Sequence, residues 1–266
     1  MSRRRLAAAL PLLAALLLAL LAAAPGGAET IQQDGVRLSF RGSLVPRELP
    51  RARPAPARIS LQAGIGGVDG APLPQLRRLE IALNRVVRID ASGLPVCHLA
   101  EIQPATTADA RAACGASLVG GGRFAASVQI PEQVPYPSRG RIDAFSGRYH
   151  GRPAILLHVY GTEPAPASYT LPLTIERGRG EFGTVLRTSL ARTTPAAGRV
   201  TGLSLDLGAS YASGGRRYSY LSASCPAPGG SRFADIPFVR TRLGFADRAV
   251  EMTVRRSCRV SEPRGG

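Results

Sequence analysis

Residues 154–176 carry two polarity patterns in succession, and most of the chain repeats one or the other. In 169–176 (YTLPLTIE), Tyr169, Leu171, Leu173 and Ile175 share one parity, while Thr170, Pro172, Thr174 and Glu176 share the other. Successive side chains of a strand point to opposite faces, so this pattern predicts a strand with one face in a core. Residues 154–161 (AILLHVYG) are apolar without a break, which predicts a strand covered on both sides. Pro164 and Pro166 exclude a helix between them, leaving 162–168 as a loop. A solid fold would pack both parities of 154–161 against side chains. A sheet curled around a ligand would leave one parity lining a void.

Comparable runs predict strands at 35–40, 59–65, 124–130, 141–146, 183–190, 199–207, 217–225, 238–245 and 249–258, with Gly, Pro and Ser between them. Residues 76–90 keep Leu79, Ile81, Leu83, Arg85, Val87 and Ile89 on one parity, and the β-branched residues from Val86 favour strand over helix. The stretch 46–58 (PRELPRARPAPAR) is too rich in Pro and Arg for a sheet; it reads as a solvated crossover, with a polyproline spacer as the alternative. One helix is predicted near 106–114: Thr106 caps it, Asp109 completes a capping box, alanines fill it and Gly115 ends it. The expected class is mainly β, an antiparallel β-sandwich, with a curled half-barrel as the alternative. Residues 29–266 form one domain in this reading, with a subdivision at Gly120–Gly122 left open.

Composition adds an address. Arg3, Arg4 and Arg5 precede an apolar run of Leu and Ala, and Gly26, Gly27 and Ala28 supply small residues before Glu29, so 1–28 reads as a signal peptide. An uncleaved anchor is the alternative, since the run approaches the ~20 residues that span a bilayer. After cleavage no apolar run remains to make an integral membrane segment. The formal net charge of +16 falls to +13 without the three leader arginines, and every basic residue is arginine. A field of this sign gathers anions, which outside a cell means envelope polymers or lipid headgroups. Nucleic acid is disfavoured: the arginines are scattered, aromatic residues are few and tryptophan is absent. The four cysteines read as a disulfide framework in a secreted or envelope-associated protein. Of the three pairings, Cys97 with Cys114 and Cys225 with Cys258 are chosen because each is local.

Catalytic chemistry has little footing. Gly202-Leu203-Ser204-Leu205-Asp206 lacks the final glycine of a nucleophile elbow and alternates as a strand. Cys97 and His98 are adjacent and would face opposite ways. His98, His150 and His158 have no metal-ligand spacing. No catalytic residue, metal site or cofactor is therefore assigned. His158, with Leu156 and Tyr160 on its parity, is the candidate pocket. Arg216, Arg217, Arg240, Arg242, Arg255 and Arg256 are the densest basic groups and the candidate anion-binding face.

Leu73-Pro74-Gln75-Leu76, Leu94-Pro95-Val96-Cys97, the segment 113–120 (ACGASLVG), 158–162 (HVYGT) and 224–228 (SCPAP) together resemble a group of exported, β-rich proteins of GC-rich actinobacteria. That group has no assigned activity, so the resemblance implies export and a β fold and carries over no functional residue. The expected function is a non-catalytic protein that contacts anionic envelope components through its arginines. The alternative is an extracytoplasmic carrier of a lipid or other apolar ligand in a β cavity.

Overall fold

A computed structural model describes residues 28–103, 105–129, 132–163, 165–190 and 198–261. The leader before Ala28, the turn at Thr194–Pro195 and Ile130 lie outside them.

The alternating segments form strands. The first half holds β1 (Glu29–Gln33), β2 (Val36–Val45), β3 (Glu48–Leu49), β4 (Ala55–Pro56), β5 (Arg58–Gly67), β6 (Arg78–Asn84) and β7 (Val87–Ile89), then helix α1 (Thr107–Cys114). The long antiparallel run follows: β8 (Leu118–Val128), β9 (Tyr136–Tyr149), β10 (Arg152–Gly161), β11 (Ala167–Arg177), β12 (Phe182–Ser189) and β13 (Gly198–Leu207). The chain ends with β14 (Ser210–Ser213), β15 (Arg216–Ser219), β16 (Leu221–Ala223), β17 (Phe233–Gly244) and β18 (Ala249–Val260).

Thirteen strands make one sheet in the order β1-β2-β5-β13-β8-β9-β10-β11-β12-β6-β17-β18-β3. All its pairings are antiparallel except β18 with β3. Of the two architectures left open, the curled one describes this sheet. Val36, Leu38 and Phe40 of β2 share one core with Val250, Met252 and Val254 of β18, although these strands lie near opposite ends of the order. Strand twist accumulates over so many strands and brings the ends round. At the seam, Arg256 of β18 donates from Nε to the Gly42 carbonyl of β2 at 2.6 Å and from Nη1 to Glu29 at 2.8 Å. Side chains on alternate positions of each strand thus point into a common interior.

Three sequence expectations change. The crossover at 46–58 does pair, through the two-residue strands β3 and β4, because short edge strands tolerate proline. Residues 76–90 are two strands: Asn84, the chain's one asparagine, accepts from the Val86 N–H at 3.1 Å and donates to the Pro237 carbonyl at 3.0 Å. That turn sends β7 into a small sheet with β4 and β16. Gly120–Gly122, where a subdivision is left open by the sequence, lies inside β8.

Helix α1 starts as expected. Thr106 accepts from the Asp109 N–H at 3.2 Å, and the Asp109 carboxylate accepts from the Thr106 N–H at 3.2 Å. The Thr106 hydroxyl, which donates to the same carboxylate at 2.7 Å, and then the Thr106 N–H hold the Asp109 carboxyl below its ordinary pKa. The helix packs on the outside of β9 and β10 through Ala110 and Cys114, over Phe145, Ala154 and Leu156. Its platform begins where the Cys97 N–H donates to the Ser146 carbonyl at 3.0 Å. Gly147 permits that approach; a Cβ there would stand 2.6 Å from the Cys97 carbonyl oxygen. Both expected disulfides are present, Cys97–Cys114 and Cys225–Cys258. Two disulfides and no free cysteine belong to an oxidising, extracytoplasmic environment. Among the described residues no helix is long and apolar enough to cross a membrane.

Candidate ligand-binding cavity

The curled sheet does not fill its own interior. At one end, where β8 and β10 finish and β9, β11 and β13 begin, a cavity of about 390 Å³ opens between the strands. Its walls are apolar: Leu157 and Val159 of β10, Tyr169 and Leu171 of β11, Ile142 of β9 and Leu79 of β6. Small residues keep it open near the rim, among them Ala126, Gly161, Ala165, Ala167 and Gly198. The Phe124 ring lies over Gly161, where a Cβ would come within 3.1 Å of it. Deeper in, Leu76, Leu79, Val200 and Leu203 separate this cavity from a second of about 30 Å³, lined also by Phe40, Ile81 and Leu243. The free space thus shrinks from the first cavity to the second. Thr188 of the cavity wall and Thr241 of the floor each bury a hydroxyl without a hydrogen-bond partner among the described residues.

The candidate pocket residues Leu156, His158 and Tyr160 do not line this space. They occupy the other parity of β10, on the outer face: Leu156 is packed beneath α1, and His158 lies under the segment before it. An unbroken apolar run carries no polarity to mark its inner side, and here the other parity, Leu157 and Val159, lines the cavity. On that outer face the registers place Asp143, His158 and Thr170 side by side on β9, β10 and β11. This is the composition of a hydrolase triad without its geometry. The three are 2%, 0% and 3% exposed. His158 Nδ1 lies 3.2 Å from the Ile102 carbonyl, which can only accept, so Nδ1 carries the proton and Nε2 is left without a partner. Asp143 is held instead by Arg111, at 2.5 Å to Nε and 2.8 Å to Nη2. The row is closed to solvent.

Burial holds the His158 pKa below its ordinary value, against the raising effects of the Ile102 carbonyl and Asp143. Below about pH 6.5 the unfolded chain therefore takes up a proton that the folded chain refuses, and stability falls as pH drops. Thermal melts at pH 7.5 and 5.0 should show a larger loss of Tm in the native protein than in His158→Asn. Equal losses in the two proteins would refute this role for the imidazole.

The candidate anion-binding arginines are not one face. Arg216 and Arg217 lie on the separate β14–β15 hairpin. Arg255 pairs with Asp235 at 2.7 Å and Arg256 with Glu29 at 2.8 Å. Arg240 lies 3.9 Å from Glu251 and 4.7 Å over the Phe182 ring, while Arg242 stands opposite both Glu80 and Glu251 in register. Carboxylates thus answer Arg240, Arg255 and Arg256, whereas Arg216 and Arg217 form no ion pair among the described residues.

Register assembles a different basic group, which the scattered positions concealed. Arg123 of β8 stands directly opposite Arg141 of β9, and Arg139 is two residues away on the same face. All three are exposed, and none forms an ion pair among the described residues. Arg123 and Arg139 line an open groove of about 550 Å³ with Gln62, Ser204 and Glu163. Phe124, Glu163 and Leu203 line both this groove and the apolar cavity.

One metal-like grouping occurs among the described residues, Cys97, Glu101 and Cys114. Its sulfurs are joined as a disulfide, and Glu101 is occupied with the His98 N–H at 2.6 Å. No family model, curated protein or solved structure matches the chain.

Proposed function

We propose that the protein is an extracytoplasmic carrier that holds a small apolar ligand inside its curled sheet. The observation that carries this reading is the split of β10. Ala154 and Leu156 pack solidly beneath α1, whereas Leu157 and Val159 face an unfilled cavity. Interiors are ordinarily packed to crystal density, and a void in the range of ligand sites, roughly 300–1,000 Å³, is costly unless something occupies it. Export by the leader and a working place beside anionic envelope components complete the proposal, with the arginine-rich surface keeping the carrier near them.

The test is binding of the neutral fluorophore N-phenyl-1-naphthylamine. The native protein should bind it stoichiometrically and release it to an aliphatic alcohol. Ala126→Phe, which places a ring in the cavity, should weaken binding at least about tenfold, as expected when a ligand loses its apolar contacts. Its Tm should be unchanged or higher, as for cavity-filling changes. Absence of binding by the native protein, or full binding by the variant, would overturn the reading.

A further inference from the structure

We infer that the outer face of strands β2, β5, β13, β8 and β9 is the docking surface for a linear acidic polysaccharide. This rests on the part of the proposed function that places the protein beside anionic envelope components, and it names the surface and the partner. The same strands turn Phe124, Ile142 and Leu203 to the opposite face, which holds the cavity, so the sheet separates the two.

Register builds the surface. Arg41, Gln62, Ser204, Arg123, Arg141 and Tyr160 stand opposite one another in turn on six neighbouring strands, and Arg139 lies two residues from Arg141 on the same face. The four arginines are exposed, and none forms an ion pair or a side-chain hydrogen bond among the described residues. Like charges directly opposite on neighbouring strands cost stability, so Arg123 facing Arg141 is a strain on the fold that a bound anion relieves. Two carboxylates share the surroundings, Asp206 two residues from Ser204 on β13 and Glu163 at the groove rim. Neither pairs with these arginines among the described residues, and the Asp143 carboxylate is taken by Arg111.

Shape and spacing select the partner. Beside the row, Ala125 and Gly202 face each other with little or no side chain, and Arg123, Arg139 and Ser204 stand around them in the open groove of about 550 Å³. A trough admits a chain but not a flat bilayer. The exposed large apolar residues Val45, Val96, Val134 and Phe233, which could enter lipid, do not line it. From Arg41 to Arg141 the surface crosses from β2 to β9, about 19 Å at roughly 4.8 Å per strand. One small anion cannot meet both ends, so the partner repeats its charge. Between the charges lie neutral hydrogen-bonding groups, Gln62 and Ser204, whose hydroxyl accepts from the Arg123 N–H at 3.0 Å and keeps its own proton to donate. That alternation fits carboxylates carried on hydroxylated sugar rings, and guanidinium groups take carboxylates with paired hydrogen bonds. Tyr160 is the one aromatic ring in the row, too few to stack successive nucleobases.

Calorimetry at low salt measures binding of polygalacturonate, with galacturonic acid, neutral dextran, inorganic polyphosphate and phosphatidylglycerol vesicles as the alternatives. Arg123→Gln/Arg141→Gln is compared with Arg216→Gln/Arg217→Gln, which removes the same charge from the separate β14–β15 hairpin. The native protein should bind polygalacturonate and ignore dextran. It should bind the monomer at least about tenfold more weakly, because one sugar cannot engage several arginines at once. The affinity should fall with added salt. The face variant should lose about tenfold or more, and the hairpin variant should stay close to native. The face variant should also melt no lower than the native protein, since it removes facing like charges; this separates lost binding from lost folding.

Absence of polygalacturonate binding, a monomer bound as tightly as the polymer, or equal losses in the two variants overturns the inference. Equal losses would make the attraction a property of net charge and leave the broader envelope reading standing. Tighter binding of polyphosphate or of vesicles, lost in the face variant, also overturns it and assigns the face to a phosphate polymer or to lipid headgroups. Failure of every anionic probe to bind would remove the envelope reading with it. The neutral fluorophore reads the cavity separately: its failure to bind the native protein would remove the carrier reading and leave this face untouched.

Discussion

Serine in place of both Cys225 and Cys258 is expected to lower the unfolding free energy by about 4 kcal/mol. The two residues are 33 apart in sequence, and closing a loop of that length removes roughly 3.7 kcal/mol of unfolded-chain entropy in the chain-entropy account. Both cysteines are buried in the main core, so the new hydroxyls add a desolvation cost. The bridge also joins two distant parts of the fold. It ties β18, which meets β2 across the seam through the Arg256 side chain, to the segment leaving β16. For a chain of this size the melting temperature should fall by roughly 8–16 °C. Chemical denaturation followed by circular dichroism checks it, and an unchanged midpoint would count against the bridge as a staple of the curled sheet. The same exchange at Cys97 and Cys114, 17 residues apart, should cost about 3 kcal/mol by the same account, with the loss centred on α1.

Arg111→Met is expected to destabilise by about 2–3 kcal/mol. It leaves the Asp143 carboxylate, 2% exposed, without the guanidinium that answers it. Removing one partner of a buried pair typically costs about 3–5 kcal/mol. The expectation is set below that range because the Arg111 side chain is 44% exposed and part of the attraction is screened by solvent. The second arm of the test is Arg111→Met/Asp143→Asn, in which no unanswered charge remains; it should recover most of the loss. Urea midpoints of the two variants decide between them. A cost under about 1 kcal/mol for the single variant would put the pair among ordinary surface ion pairs. A double variant as unstable as the single one would show that α1 depends on packing by Arg111 and not on its charge.

Residues 169–176 show how much was readable beforehand. Their alternation predicts a strand with one buried face, and β11 is that strand, with Leu171 and Leu173 inside. Thr106 and Asp109 predict their own helix start because a capping box is completed within four residues. The cysteine pairs were legible because each brackets a local unit. Asn84 was not: its side chain answers the Pro237 carbonyl, 153 residues away, and no local pattern carries that information. The partners of the basic groups were hidden for a similar reason. Arg255 and Arg256 stand out as neighbours in sequence but are paired with Asp235 and Glu29. Arg123 and Arg139 look unremarkable until the β8–β9 register sets them on one face.

The cavity marks the division most clearly. Local chemistry decides where strands run, which residues cap or turn, and that two parities of β10 are both apolar, because each depends on neighbours along the chain. It does not decide which parity faces inward. A period of two fixes alternation but not its sign, and His158 went to the outer face because α1 and its disulfide platform cover that side. Nor does it decide that space is left over. An unfilled volume is the difference between what six or more facing strands enclose and what their side chains occupy, so it exists only once the sheet has curled.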